Sequence, residues 1–364
     1  TAPALQTVFI VYAALHSGLT LKYSADLAGD LRFRAKIPWL IEHTVFHAVI
    51  PWLCTSRRHD LAIQIAKQYP EQFELALKGK DYFSSRDMIA ILEQADPERA
   101  KRYQDSKRPG DQKQMVNAIV TNIPGFTPSD EAELKQFVLS GGDLSGLLAR
   151  HPLNAGGGKG WGYHQHGTDY ASQYGLDPFL ARAIISMMFS GHSYHFYQTW
   201  NRVYSNLPAE QKHMGTLLDA VAAEGLPPAN CLILAEWEDA HSYSQKDKNE
   251  IMEQTAAWML KQPESLITET MEKGSAYART LAAMTLEKKG DYDALLPLAQ
   301  DSSKQVRKVV EDAFTARPFG EGPKAALKLL QSKKATPRET GIRILMNLDS
   351  GAEKKGTYVQ TYRA

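Results

Sequence analysis

The sequence predicts an all-α protein assembled from short amphipathic helices. Apolar residues recur at three- and four-residue spacing through most of the chain, which is the period of one helix face. Turn residues cut that pattern every 12 to 20 residues, the length of a helix plus a short connection. Alternating apolar and polar runs joined by Asn-Gly or Asp-Gly turns, the mark of a β-hairpin, are missing from the sequence.

Taken in order, the segments Leu61 to Tyr69, Arg86 to Gln94, Glu131 to Leu139 and Gln211 to Glu224 each carry one apolar stripe. Ser84 or Ser85 is placed to cap the second and Ser129 the third, and Gly225 before Pro227 and Pro228 ends the fourth. The sharpest periodicity lies in DYDALLPLAQDSSKQVRKVVEDAF, residues 291–314. Val306, Val309, Val310, Ala313 and Phe314 fall on one stripe, and Arg307, Lys308, Glu311 and Asp312 fall on the other side. Asp293 is placed to cap the preceding helix, in which Pro297 is tolerated near the first turn.

This segment resembles the HEAT-repeat family, with Pro297 in the first helix, Asp301 at the turn and Val306-Arg307 opening the second helix. Ala278-Arg279 and Pro337-Arg338 lead similar second helices on either side. The three Arg are 28 and 31 residues apart, close to the period of a short helical repeat. The resemblance covers about residues 255–350 and implies an α-solenoid of helical hairpins. A looser echo joins residues 70–86 to 263–279. Both stretches begin Pro-Glu, carry Lys-Gly and reach an Arg 16 residues on, so hairpins of the same kind are expected near the N-terminus.

The expected organisation is a helical-hairpin region over 1–150, a Gly/His-rich loop over 151–175, a buried aromatic helical region over 176–254 and the repeats over 255–350. Residues 351–364 read as a linker or the start of a further domain. The chain opens at Thr1 and closes in GTYVQTYRA, so a segment of a longer protein is expected.

Composition narrows the function. Lys and Arg number 42 against 41 Asp and Glu, a net charge of +1. A protein that grips nucleic acid by its phosphates usually carries a basic excess or block, so the HEAT-like DNA-repair glycosylases are matched in repeat type alone and nucleic acid is an unlikely partner. The two cysteines, Cys54 and Cys231, sit in apolar surroundings and read as buried free thiols of a reducing compartment. The longest apolar run, Val8 to Leu15, falls short of the roughly 18–20 residues that span a bilayer. No membrane association and a cytoplasmic location are expected.

Four groups of side chains carry candidate chemistry. His164, His166, His192 and His195, with Asp169, place four imidazoles and a carboxylate within about 30 residues. Such a set is able to hold zinc or another first-row metal if the loop folds over the following helix. GGGKGWG lacks the Gly-Lys-Ser/Thr order of a phosphate loop, because Gly160 follows Lys159. His43 and His47 share a helix face, but Thr44 stands where a zinc protease needs Glu. Glu236, Glu238 and Asp239 with His241 form an acidic group able to serve acid–base chemistry or a metal, but it reads as a solvated helix face or a C-terminal break before SYSQKDKNE. Tyr194, Phe196, Tyr197 and Trp200 read as core. The leading expectation is a non-enzymatic helical-repeat scaffold that binds a protein partner or a neighbouring domain and needs no cofactor. The alternative is a metal- or small-ligand-binding protein, or an enzyme, centred on the four histidines.

Overall fold

A computed structural model describes residues 50–51, 53–54, 59–78, 82–153, 170–171, 173–189, 207–241, 244–317 and 320–350. Every regular element among the described residues is helical, and no strand occurs among them. None of these helices is long and apolar enough to cross a membrane. The chain divides into two compact units, Thr1–Gln114 and Met115–Ala364.

The first unit contains α1 (His59–Gln68), α2 (Pro70–Lys78) and α3 (Tyr82–Ala95). The first and third pack directly on one another, with contacts from α2 to both. Leu61, Ile65, Phe73, Leu77, Met88, Ile91 and Leu92 fill the core beside Ile50, Leu53 and Cys54. Leu61 and Ile65, and Met88, Ile91 and Leu92, follow the stripes predicted for their segments. Helix α3 begins before Ser84 and Ser85, so neither is its cap. The long helix α4 (Pro97–Ile119) contributes Ala100 and Tyr103 to this core and Met115, Val116 and Ile119 to that of the second unit. Between Tyr103 and Met115 no residue is buried, and Pro109 interrupts the backbone hydrogen bonding.

The second unit runs through α5 (Pro128–Ser140), the short α6 (Ser145–Arg150), α7 (Pro178–Phe189) and α8 (Met214–Ala223). It continues with α9 (Pro228–His241), α10 (Gln245–Met259), α11 (Glu264–Lys273) and α12 (Ala276–Lys289). Then come α13 (Tyr292–Leu295) with a 3-10 turn (Leu296–Gln300), α14 (Lys304–Thr315), α15 (Glu321–Leu330) and α16 (Ala335–Ser350). The packing follows a rule. Helix α5 lies against α7, α7 against α8, α8 against α10, α10 against α12, α12 against α14 and α14 against α16. From α9 onward the intervening helices form the other half of each pair. Helix α9 touches α11, and each intervening helix packs on the one that follows it.

Local chemistry explains where these helices start and stop. Thr127, not Ser129, caps α5. Its hydroxyl accepts from Asp130 N at 3.2 Å while the Asp130 carboxylate accepts from Thr127 N at 3.0 Å, a reciprocal capping box. Ser244 caps α10 and Ser275 caps α12. Helix α12 stops at Gly290 in the left-handed conformation, where Gly290 N and Asp291 N donate back to Glu287 O and Leu286 O. Asp291, not Asp293, caps α13, because its side chain accepts from Ala294 N at 3.1 Å. The first helix of this pair is broken into an α turn and a 3-10 turn with Pro297 at the start of the second part. Gly225 adopts φ 91° at the end of α8, as its place before two prolines suggests.

Burial sorts the apolar stripes. Val306, Val310, Ala313 and Phe314 of α14 are buried and Val309 is partly buried, as predicted. Glu311 departs from the prediction: it is buried, because α16 packs over that side of α14. The carboxylate is satisfied there by Asn347 Nδ2 at 2.7 Å and by Lys308 Nζ at 3.5 Å. Helix α7 buries every residue from Phe179 to Phe189 except Arg182. Arg182 uses its charge across helices, donating from Nε to Val138 O at 2.9 Å and from Nη1 to Glu224 Oε2 at 2.7 Å. The tail 351–364 lies outside the described residues.

Gly341 sets the spacing of the last pair. A Cβ at that position would sit 2.8 Å from Ala326 O and 3.1 Å from Leu329 Cβ, both on α15. Gly110 in α4 has no atom within 4 Å of such a Cβ. Gly110→Ala is therefore expected to stabilise by roughly 0.5–1 kcal/mol through the unfolded chain. Gly341→Ala is expected to destabilise by about 1–3 kcal/mol through overpacking. Chemical denaturation of the two variants reads the opposite signs.

Candidate functional site

The stacked helices α10, α12, α14 and α16 form a groove of about 500 Å³. Helix α10 lines it through Gln245, Asn249 and Met252, α12 through Thr280, α14 through Lys304, Gln305, Arg307, Lys308 and Glu311, and α16 through Glu339, Thr340 and Arg343. These residues come from the first two or three turns of each helix, so the groove runs along the N-terminal ends of the stack. Its floor is made by two threonines whose hydroxyls are already used. Thr280 Oγ1 donates to Ala276 O at 2.8 Å, and Thr340 Oγ1 donates to Thr336 O at 3.2 Å and lies 3.3 Å from Ala299 O.

The three arginines of the repeat pattern occupy one register. Arg279, Arg307 and Arg338 are each the fourth residue of α12, α14 and α16. Arg279 clamps the turn of the next pair: Nε donates to Asp301 Oδ2 at 2.8 Å and Nη2 to Asp301 Oδ1 at 3.0 Å. Its Nη1 donates to Gly274 O, five residues back, at 2.9 Å. Arg307 repeats that last contact, with Nη1 donating to Ser302 O at 3.0 Å and to Asp301 O at 2.6 Å. Asp301 Oδ1 also accepts from Ser303 N at 2.7 Å, which fixes the turn into α14. Ser332 stands in the matching place before α16, and its hydroxyl accepts from Lys334 N at 3.2 Å in the same two-residue pattern. Ser332 brings no carboxylate for Arg307 to hold.

Burial works to raise the Asp301 pKa, but the hydrogen bonds from Arg279 and Ser303 N and the charges of Arg279 and Arg307 outweigh it and hold the carboxyl below its ordinary value. Lys308 is held protonated above the usual range, first by its hydrogen bond to Asp312 at 2.7 Å. Glu339 is paired with Arg343 at 2.8 Å. No nucleophile stands beside a base among the described residues of this groove.

A second polar group lies on α9 and α12. Glu238 is buried and Glu236 Oε2 accepts from Ser275 Oγ at 2.7 Å, so this acidic face is not the solvated one that the sequence suggested. Burial pushes the Asp239 carboxyl up, against the charge of Lys248 and with that of Glu236. Burial first, and then the charges of Asp239, Glu236 and Glu238, push the Tyr277 phenol well above its usual range. No trio of His, Cys, Asp or Glu among the described residues has the arrangement of a metal site.

His164, His166, His192 and His195, the expected metal ligands, lie outside the described residues, as do Asp169, the GGGKGWG stretch, His43, His47, Tyr194, Phe196, Tyr197 and Trp200. Cys54 and Cys231 are both buried free thiols, as expected. Burial raises both pKa values, that of Cys231 to about 12, which keeps each thiol protonated and unreactive. The groove residues on α10 and α16 were not singled out from sequence. On α16 a signal was present, since Glu339 and Arg343 are charged residues four apart on one side of a helix whose other side is apolar.

No protein-family model, no curated protein and no solved structure matches the chain.

The Arg279–Asp301 pair generates a prediction. A double-mutant cycle with Arg279→Ala and Asp301→Ala is expected to give a coupling of about 1–3 kcal/mol at neutral pH. Because the folded pKa of Asp301 is depressed, its stabilising contribution is present above the ordinary carboxylate range and is lost as pH falls through the folded value. In Arg279→Ala burial acts on Asp301 with less opposition, so the stability gap between wild type and variant is expected to narrow below about pH 4. Urea unfolding at a series of pH values measures it, and a pH-independent gap contradicts it.

Proposed function

We propose that the described helices between residues 115 and 350 form a HEAT-like helical-repeat scaffold, a non-enzymatic module that binds a protein partner along the groove of its second helices. The observation that carries this reading is the alternate packing of α8, α10, α12, α14 and α16, each on the next. Such packing buries a continuous core and leaves one long face of similar helices for a ligand. Three further observations support it. The repeat arginines share a register in α12, α14 and α16. Arg279 ties one pair to the turn of the next. The groove presents polar and charged groups without a reactive pair among the described residues.

The repeat assignment makes Ser332 the equivalent of Asp301. Ser332→Asp is then expected to give Arg307 a carboxylate partner and to stabilise the protein by roughly 0.5–1 kcal/mol at low salt. A loss of stability, or a gain that persists at high salt, argues against the equivalence.

The binding face is tested with photo-cross-linking residues at Met252 and Gln305 in the groove and at Lys324 on α15. The same partner protein is expected from both groove positions and not from Lys324. Once purified, that partner is expected to slow amide exchange in α10, α12, α14 and α16. Equal adducts at Lys324, or no protection of these helices, contradicts the proposal.

A further inference from the structure

We infer that the groove over α10, α12, α14 and α16 takes an acidic polypeptide segment in which carboxylates alternate with apolar side chains. This rests on the scaffold reading above and adds the chemistry of the partner. The groove carries four cations, Lys304, Arg307, Lys308 and Arg343, and two carboxylates, Glu311 and Glu339. Both carboxylates are already held from within: Glu311 by Asn347 and Lys308, and Glu339 by Arg343. Two cations remain in surplus. Arg307 meets backbone carbonyls through Nη1, and the nearby Asp301 carboxylate is gripped by both arms of Arg279. Lys304 has no acidic partner among the described residues.

The place of Lys304 sharpens this. It is the first residue of α14, where the positive end of the helix dipole disfavours a cation. Ser303, the residue before it, makes no side-chain cap. The first amides of α14 and the ammonium of Lys304 thus present positive charge together, an arrangement that conflicts with helix stability and is resolved by an incoming carboxylate. The apolar half of the partner follows from α16. Ile342 and Met346, exposed by 48% and 59%, stand beside the groove lining, on the same stripe of α16 as the groove residues Glu339 and Arg343. Nucleic acid fits less well, because its phosphates would meet Glu311 and Glu339 in the same groove and would leave Ile342 and Met346 uncovered.

The test uses the full chain and a fluorescent peptide of alternating Glu and Leu, with a Lys-Leu peptide and single-stranded DNA of similar length as comparisons. The Glu-Leu peptide is expected to bind with salt-dependent affinity. Lys304→Glu combined with Arg343→Glu is expected to weaken that binding by at least about tenfold. Lys328→Glu, on the exposed side of α15, is expected to leave it unchanged. Lys304→Glu suits the helix dipole, so the variant is expected to fold, and circular dichroism checks that it does. Met346→Ser is expected to weaken the Glu-Leu peptide while sparing poly-Glu. Equal binding of the Lys-Leu peptide, tighter binding of DNA, or indifference to the groove substitutions overturns the inference. If the groove cross-links a partner while the Glu-Leu peptide fails to bind, the acidic chemistry falls and the scaffold stands. If neither occurs, the scaffold reading falls as well.

Discussion

Arg279 on α12 grips Asp301 in the turn inside the next helical pair, and the placing of α14 against α12 depends on that meeting. A guanidinium presents two parallel donors to a carboxylate, so the pair fixes orientation as well as distance. Arg279 is anchored on its other side by Gly274 O, and Asp301 by Ser303 N. The end of one turn and the start of the next helix are therefore tied to the same two side chains. With the turn fixed, α14 meets α12 with Val306, Val310 and Phe314 facing the core, and burial of these apolar groups supplies the favourable free energy.

Some polar residues inside the stack are satisfied there, whereas Asp239 Oδ1, Tyr277 OH and Thr315 Oγ1 are buried without a hydrogen-bond partner. Thr255 and Thr285 donate to carbonyls four residues back at 2.7 Å, so each hydroxyl is buried without a loose end. Trp258 Nε1 donates to Asp219 Oδ1 at 2.8 Å, and Met214 N, at the start of α8, donates to Gln254 Oε1 at 2.7 Å. These two bonds lock α10 to α8. The groove differs. Lys304 opposes its own helix dipole, and beside the groove Ile342 and Met346 of α16 stay exposed.

Much of this was legible in the sequence, and particular residues show why. The stripe Val306–Phe314 announced its helix because a 3.6-residue apolar period is what a helix with one buried face produces. Asp301 and Arg307 announced the turn because they are short-range features. Glu311 was misread because periodicity assigns a face but does not say how many neighbours cover it, and α16 is remote in sequence. Thr127 was passed over for Ser129 because Pro128 makes either residue a reasonable cap, and the reciprocal bond to Asp130 decided it. The groove was only partly legible: its cations come from two helices that sequence treats separately, and their surplus emerges once ion pairs are assigned in space.

The order of the second helices is the claim on which the rest stands. Spin labels at Ala276, Lys304 and Ala335, the first residues of α12, α14 and α16, measure it through pairwise distances. Neighbouring packed helices lie about 10 Å apart, so the stacked order predicts two similar short separations, from 276 to 304 and from 304 to 335, and a clearly longer one from 276 to 335. A separation from 276 to 335 as short as the other two would place α16 directly against α12 and contradict that order.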